Sequence, residues 1–566
     1  MLSMTNLPLR EQLAELIRAG LERAQAAGDL PAFDIPDVPV APSRHANHGD
    51  YGSPVCLGLA RVLRRAPLHI AETVAPHVPE SEMIAEVTVA PPGFINVALD
   101  QGWMARQASV ILAAGETWGN VAAGASTRVQ VEFVSANPTG PITVGSARNA
   151  VIGDALASVL EAGGYEVARE YYVNDAGAKV RSFGGSILSR YADCFGASIP
   201  FPEKGYPGDY VTTLAERLAE SAGRRYLDID RDQAVREVAY WGMARVLEQI
   251  EDDLAHLHIH FDTWRHEKDF YAEGLFDEML DKLRAGGYVT EYDGATWFQH
   301  PDLEKDAVLI RSAEVVPDPE GRPTYLASDV CYLWDKLIQR AFDRAIYVWG
   351  ADHHGDVPRV QAAAQAVGVD PDRLIFVLYQ MVTLMRGGEE VRMSKSSGDF
   401  VTLRELIDEV GPDPIRFMML TRTMDVTLDF DLDLAVEQSD RNPVYYVQYA
   451  HTRIAGVLRK AAEEGFDPQT DGDPALLTHP TELDLIRKML ALPEIIDVAA
   501  RNLAPHHLTT YATELAAQFH AFYRDCRIVD AAAPELTRAR LLLARAAKSV
   551  LARVLHLIGV DAPERM

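Results

Sequence analysis

A lysine and three serines closed by a glycine, Ser394-Lys395-Ser396-Ser397-Gly398, form a segment suited to phosphate. Lys395 supplies a point charge, while the hydroxyls of Ser394 and Ser397 and the backbone N–H groups supply directed donors. Alone, such a loop is a weak signal, because most short Ser/Gly segments are solvated turns. About 250 residues earlier, Val131-Glu132-Phe133-Val134 runs through Ser135-Ala136-Asn137-Pro138-Thr139-Gly140-Pro141 into Ile142-Thr143-Val144-Gly145-Ser146-Ala147-Arg148. A strand and loop turn into a helix there. The unpaired first N–H groups and the positive dipole end of that helix make an anion site. Gly145 permits close backbone approach, and Thr143 and Ser146 each offer a neutral donor. Plain helix capping by Ser146 accounts for the same residues.

Tyr325 and Asp329 are spaced by four, which places a ring and a carboxylate on one helical face. A carboxylate can grip a guanidinium through paired hydrogen bonds, and a ring can stack on its plane. The alternative is an ordinary surface aspartate near a helix start. Gly350-Ala351-Asp352-His353-His354-Gly355 follows a strand ending at Trp349, and parallel sheets bind ligands at such carboxyl ends. Neighbouring Asp352, His353, His354 and Asp356 do not all reach one ion, so a metal site is not expected there.

The elements that must position these residues are legible as patterns. Residues 8–28 and 53–64 read as helices and Phe94–Leu99 as a strand, which makes a small α+β unit over 1–115. The Gly/Ala-rich stretch 115–124 reads as a linker. Strand 128–134, a helix from Gly145 to Ala162 and strand 166–173 form the βαβ unit of a nucleotide-binding parallel sheet. Further strand candidates are Val308–Arg311, Ala345–Trp349 and Leu374–Leu378. The parallel-sheet, Rossmann-type domain is placed at 125–410, with an insertion at about 185–300. From 411 to 566 the pattern is helical, over 444–463, 481–502, 507–525 and 534–558, and no glycine occurs between Gly472 and Gly559. The expected class is α/β multidomain with an all-α C-terminal domain.

The chain of 566 residues exceeds a single core. It has no run of 18 apolar residues, so no membrane span is expected, and no basic-plus-apolar leader is visible. Four dispersed cysteines, Cys56, Cys194, Cys331 and Cys526, suit neither zinc nor a disulfide framework and fit a reducing cytoplasm. A net charge of −28 argues against nucleic acid in bulk. From residue 501 onward, however, nine basic residues face six acidic ones, a local excess that a solvated helical face explains equally well.

The two phosphate-type segments together resemble the ATP-binding signatures of class I aminoacyl-tRNA synthetases, and Ser-Ala-Asn-Pro-Thr-Gly-Pro resembles the arginyl-tRNA synthetase family in particular. Tyr171-Tyr172-Val173-Asn174-Asp175-Ala176-Gly177, Asn442-Pro443-Val444-Tyr445-Tyr446-Val447-Gln448-Tyr449-Ala450-His451 and the terminal Ala562–Met566 extend the likeness over essentially the whole chain. Three departures stand out. The family's His-x-Gly-His is here Thr143-Val144-Gly145-Ser146, Asp356 replaces a tyrosine, and Ala178-Lys179 replaces Asn-Gln. The resemblance implies ATP-dependent joining of L-arginine to tRNA(Arg) through an arginyl-adenylate, with Mg2+ accompanying ATP and no zinc, by a cytoplasmic monomer. It implies catalytic roles for Lys395, Ser394, Ser397, Thr143 and Ser146, and ATP contacts from Gly145, Gly350, Asp352 and Met393. Arginine selection falls to Ser135, Asn137, Tyr325, Asp329 and His353, and tRNA elbow contacts fall to Phe94 and Asn96. Residues 411–566 would be the anticodon-binding domain. The altered signature keeps two alternatives open: a relative with weakened or redirected amino-acid activation, and a non-enzymatic tRNA- or arginine-binding regulator. Lys179 would add a positive charge near the site, which could repel arginine, hold phosphates, or simply lie on a solvated face.

Overall fold

The computed structural model describes residues 7–43, 48–316, 322–391 and 401–566. Met393, Ser394, Lys395 and Ser397 lie outside the described residues. The chain divides into two compact units, one built from both chain ends (1–125, 162–164 and 438–566) and one from 126–161 and 165–437.

In the first unit, four antiparallel strands take the order Ala41–Pro42, Tyr51–Ser53, Phe94–Leu99, Ile84–Ala90. Ile17, Leu21, Leu59, Ile70, Val74 and Ile95 form the core between this sheet and its helices. The C-terminal helices are Pro443–Glu463, Pro480–Leu490, Leu492–Arg501, His507–Asp525 and Pro534–Leu557. The pattern expected as one helix over 481–502 is two, divided where Pro493 opens the second. The two chain ends join through charge. Arg10 bonds Asp497 at 2.5 Å and Arg487 bonds Asp50 at 2.7 Å. The stretch expected as a linker is packed, with the Trp118 indole N–H donating to Met489 O at 3.1 Å.

The second unit carries a five-stranded parallel sheet in the order Leu374–Tyr379, Arg344–Gly350, Arg128–Glu132, Glu166–Val173, Thr263–His266. Three expectations change here. Thr263–His266, placed by pattern inside an insertion, pairs with Glu166–Val173 as an edge of this sheet. Ala307–Ile310, expected in the parallel sheet, belongs instead to a separate antiparallel sheet with Ala295–Phe298 and Val289–Tyr292. Its hairpin turns at Asp293-Gly294, both at positive φ, a two-residue turn that the Asp-Gly pair itself signals. Finally, Leu428–Asp431 pairs parallel with Val382–Arg386, so the segment after 411 completes this unit before the helices begin.

The helix Val144–Ala162 sets the geometry of the sheet's carboxyl edge. A side chain at Gly153 would meet Phe133 at 2.2 Å, so the helix seats directly on the strand that precedes it. Arg416 pairs with Asp154 of the helix and donates to Leu257 O at 2.8 Å, and Arg169 reaches the same Asp154 at 3.2 Å. Arg148 is fully buried and donates to Gln380 O and Val426 O at 2.8 Å and to Thr423 O at 2.9 Å. Burial depresses its guanidinium from the usual range, yet it ties two distant loops to the first turns of the helix. Arg148→Met should deprive three carbonyls of this donor, at about 1 kcal/mol each. The expected result is a lower thermal midpoint, with amide hydrogens at 380–381 and 423–426 exchanging faster than in wild type.

Candidate functional site

A cavity of about 920 Å³ opens at the carboxyl ends of the parallel strands. Glu132, Ser135 and Asn137 follow the central strand, Asn174 and Lys179 follow its neighbour, and Gly350, Asp352 and His353 follow the strand on the other side. Ligands of open parallel sheets bind where connections leave a central strand in opposite directions, and this is such a place. Of the expected residues, Ser135, Asn137, Thr143, Gly145, Ser146, Tyr325, Asp329, Gly350, Asp352 and His353 all line it.

The turn at 142–144 is spliced to the segment that directly follows Ser394–Phe400. Thr143 bridges Thr402, Val144 N donates to Val401 O at 3.2 Å and Leu403 N to Ile142 O at 2.8 Å. Segments far apart in the chain, 142–144 and 401–403, thus meet through backbone hydrogen bonds. Ser146 is inside the first helical turn, its N–H bonded to Thr143 O at 2.9 Å, so it is not the helix cap. Among the described residues, a Cβ at Gly145 would touch only Thr143 Oγ1, at 3.6 Å.

The loop after the central strand is strained. Val134 and Ser135 both have positive φ, which for a β-branched valine is a marked departure costing of order 1–3 kcal/mol. Buried Asn149 holds it by accepting the Val134 N–H while donating to Val348 O at 2.7 Å. The Ser135 hydroxyl donates to Glu132 at 3.0 Å and accepts the Tyr172 N–H at 3.2 Å. The Tyr171 hydroxyl donates to Ala136 O at 2.9 Å.

The floor is acidic. Tyr325 and Asp329 lie on one face of the helix Tyr325–Trp334, and both reach the cavity, as does Glu132. Lys336, fully buried between the rings of Tyr332 and Tyr347, donates to Glu132 at 2.5 Å. Glu170, also buried, accepts from Tyr332 OH at 2.5 Å and from both ends of the Arg340 guanidinium. Burial, then the charges of Glu132 and Glu267, push the Asp329 carboxyl up to about 8, against the pull of Lys336. Burial likewise lifts Glu267, which accepts from the Ser328 hydroxyl, to about 7. The buried Tyr172 hydroxyl has no hydrogen-bond partner among the described residues. Sequence reasoning missed Glu132, Asn149 and Tyr172. A carboxylate at the end of an otherwise apolar central strand was the available signal for the first. Asp352 and His353 are exposed at the rim, with His353 Nδ1 3.4 Å from Asp356. Phe94 and Asn96 belong to the other unit. Asn96 lies on the strand face opposite core Ile95 and is only 4 % exposed, so its amide is enclosed rather than offered at the surface.

Three family models match in succession: the arginyl tRNA synthetase N terminal domain over 11–99, the class I (R) tRNA synthetase catalytic domain over 107–194 and 213–455, and the DALR anticodon binding domain over 447–566. The chain belongs to the arginyl-tRNA synthetase family. It is 44 % identical to an arginine–tRNA ligase of Dehalococcoides mccartyi and 41 % identical to one of Geobacillus kaustophilus, across 99 % of both chains in each case. The Thermus thermophilus arginyl-tRNA synthetase structure superposes with a TM-score of 0.73 at 24 % identity, over 99 % of this chain and all of that one, a likeness of fold.

In this family's frame the raised Asp329 has a measurable consequence. Its carboxyl rises from an ordinary value of 3.8 to about 8, so the folded empty site holds a proton that the unfolded chain has released. That contribution to stability is therefore lost progressively as pH rises from about 4 to about 8. We propose that the guanidinium of L-arginine pairs with this carboxylate, in which case binding expels the proton. Calorimetry at pH 6.5 in buffers of differing ionisation enthalpy should show about one proton released per arginine bound. Affinity should rise with pH and level off above about 8, and Asp329→Asn should abolish the release.

Proposed function

We propose that this chain joins L-arginine to tRNA(Arg) in two steps at the cavity described above. The observation that carries the reading is the Tyr325–Asp329 face beside Glu132, an acidic and aromatic floor under a phosphate-type helix start. The guanidinium would stack on Tyr325 and donate paired hydrogen bonds to the carboxylates of Asp329 and Glu132, with the Tyr172 hydroxyl as a further acceptor. Asn137, Ser135 and His353 would orient the amino-acid end. The carboxylate of arginine then attacks the α-phosphate of ATP and pyrophosphate leaves, a reaction that needs mainly positioning and charge stabilisation. Gly145, Gly350 and Asp352, with Met393 of the second signature, would hold the nucleotide. Thr143 and Ser146 would line its phosphates, and Lys395, Ser394 and Ser397 would stabilise the departing pyrophosphate. Mg2+ enters with ATP as part of that substrate. The terminal adenosine of tRNA then takes the arginyl group.

The helical unit supports the tRNA part. Arg453 lies over the rings of Tyr449 and Tyr523, at 4.5 and 5.0 Å, and donates to Tyr449 OH at 2.8 Å. Tyr445 stacks on Tyr449. Tyr449 and Tyr523 are exposed, and aromatic planes of this kind beside a guanidinium suit unstacked bases. Phe94 remains the candidate elbow contact. We read the protein as a cytoplasmic monomer. All four cysteines are unpaired, and among the described residues no helix is long and apolar enough to cross a membrane.

ATP–pyrophosphate exchange with arginine, with and without tRNA, tests the assignment. Exchange should require arginine and be strongly promoted by tRNA, whereas brisk exchange without tRNA would favour a redirected relative. Asp329→Asn should weaken arginine by about 3 kcal/mol or more, the cost of breaking a buried charged pair on one side, and leave ATP binding nearly unchanged.

The signature Thr143-Val144-Gly145-Ser146 lacks the family's imidazoles, and we infer that it still presents a phosphate site through backbone. Hydrogen bonds to charged groups are worth about 1.5–3 kcal/mol each. Thr143→His with Ser146→His should therefore raise the activation rate, by up to about 10²–10⁴-fold. No gain in pre-steady-state adenylate formation would show that the missing rings are compensated or irrelevant.

A further inference from the structure

Lys179 is the second residue of the helix Ala178–Asp193, whose first turn holds no acidic side chain. A cation there faces the positive end of the helix dipole, an unfavourable place. Nor does an ion pair compensate, since among the described residues no carboxylate lies within salt-bridge distance of Lys179. Arg359, which also lines the cavity, is neutralised by Asp356 at 2.9 Å. The ammonium of Lys179 instead lies 5.6 Å from the centre of the Tyr325 ring, and both side chains line the cavity. Asp329, one helical turn along from Tyr325, lines it too.

We propose that Lys179 is a displaceable occupant of the guanidinium subsite, holding the Tyr325 ring until the substrate takes that place and then turning to the anionic groups of the second substrate. The inference rests on the reading of Tyr325 and Asp329 as the arginine subsite. A lysine gains only the ring, whereas a guanidinium gains the ring and paired hydrogen bonds to Asp329, so it wins the exchange. Two cations above one ring repel. Once displaced, the ammonium finds its nearest relief in the triphosphate bound in the same cavity. Arginine and ATP then bind with positive coupling, and the coupling is reciprocal.

Calorimetry on the full chain with L-arginine and with a non-hydrolysable ATP analogue, each alone and in the presence of the other, tests this. In wild type each ligand should tighten the other. Lys179→Gln should bind arginine alone about two- to fivefold more tightly, because the competitor on the ring is gone. The same variant should bind the analogue more weakly and reduce the coupling factor to about one. Lys179→Arg, whose own guanidinium can take both the ring and Asp329, should bind arginine alone more weakly than wild type. If wild type binds arginine but Lys179→Gln binds it equally or less tightly, or keeps the full coupling, the proposal is overturned while the subsite stands. If Asp329→Asn also leaves arginine affinity unchanged, the subsite reading falls, and this proposal with it.

Discussion

The cavity depends on a charge buried beneath it. Glu132 ends the central strand with almost no exposed surface, and Lys336, fully buried between two tyrosine rings, neutralises it. Taking two charges out of water costs several kcal/mol per ion, and the pair persists because geometry and further hydrogen bonds offset that cost. The second oxygen of Glu132 accepts from Ser135, which in turn fixes the strained loop entering the phosphate-type turn. One ion pair therefore sets strand end, loop and floor together. Among the described residues Asp329 and Glu267 have no cation in a direct ion pair, and both rise well above ordinary carboxyl values. On the reading proposed above, a bound guanidinium would relieve that imbalance, and selectivity for a cationic side chain would rest on it more than on shape.

A second constraint is the backbone splice between 142–144 and 401–403. Because 142–144 pairs with a segment about 250 residues later, this turn is not positioned by its own sequence alone. Arg148, through carbonyls of Gln380, Thr423 and Val426, reinforces the same arrangement from below. The helix start is thus held by contacts from segments hundreds of residues away. Such a frame can keep a phosphate site in place even where the side chains that usually occupy it have changed.

Thr143 and Ser146 line the cavity at the helix start, and Lys179 brings a cation to the neighbouring helix start. Asp356 pairs with Arg359 at the rim. On the reading proposed above, these are the positions at which the chain departs from the family pattern, and all of them lie on this one frame.

What the sequence by itself determined was local. The helix spanning Tyr325 and Asp329, the strand–loop–helix around Gly145, the strand 166–173 and the long C-terminal helices follow from periodicity and turn chemistry, which act over a few residues. The Asp-Gly pair at 293–294 is an equally local signal, for the hairpin turn. Tertiary structure decided the rest. Strand 263–266 joins the parallel sheet and strand 307–310 does not, because pairing partners are chosen by which edges the assembled layers leave open. The sequence offered Glu132 only as one residue of a strand, and Lys336 as a helical lysine that would ordinarily be solvated. Their meeting under the cavity, the proton this leaves on Asp329, and the resting of Lys179 on Tyr325 are properties of burial and proximity, which no run of neighbouring residues encodes.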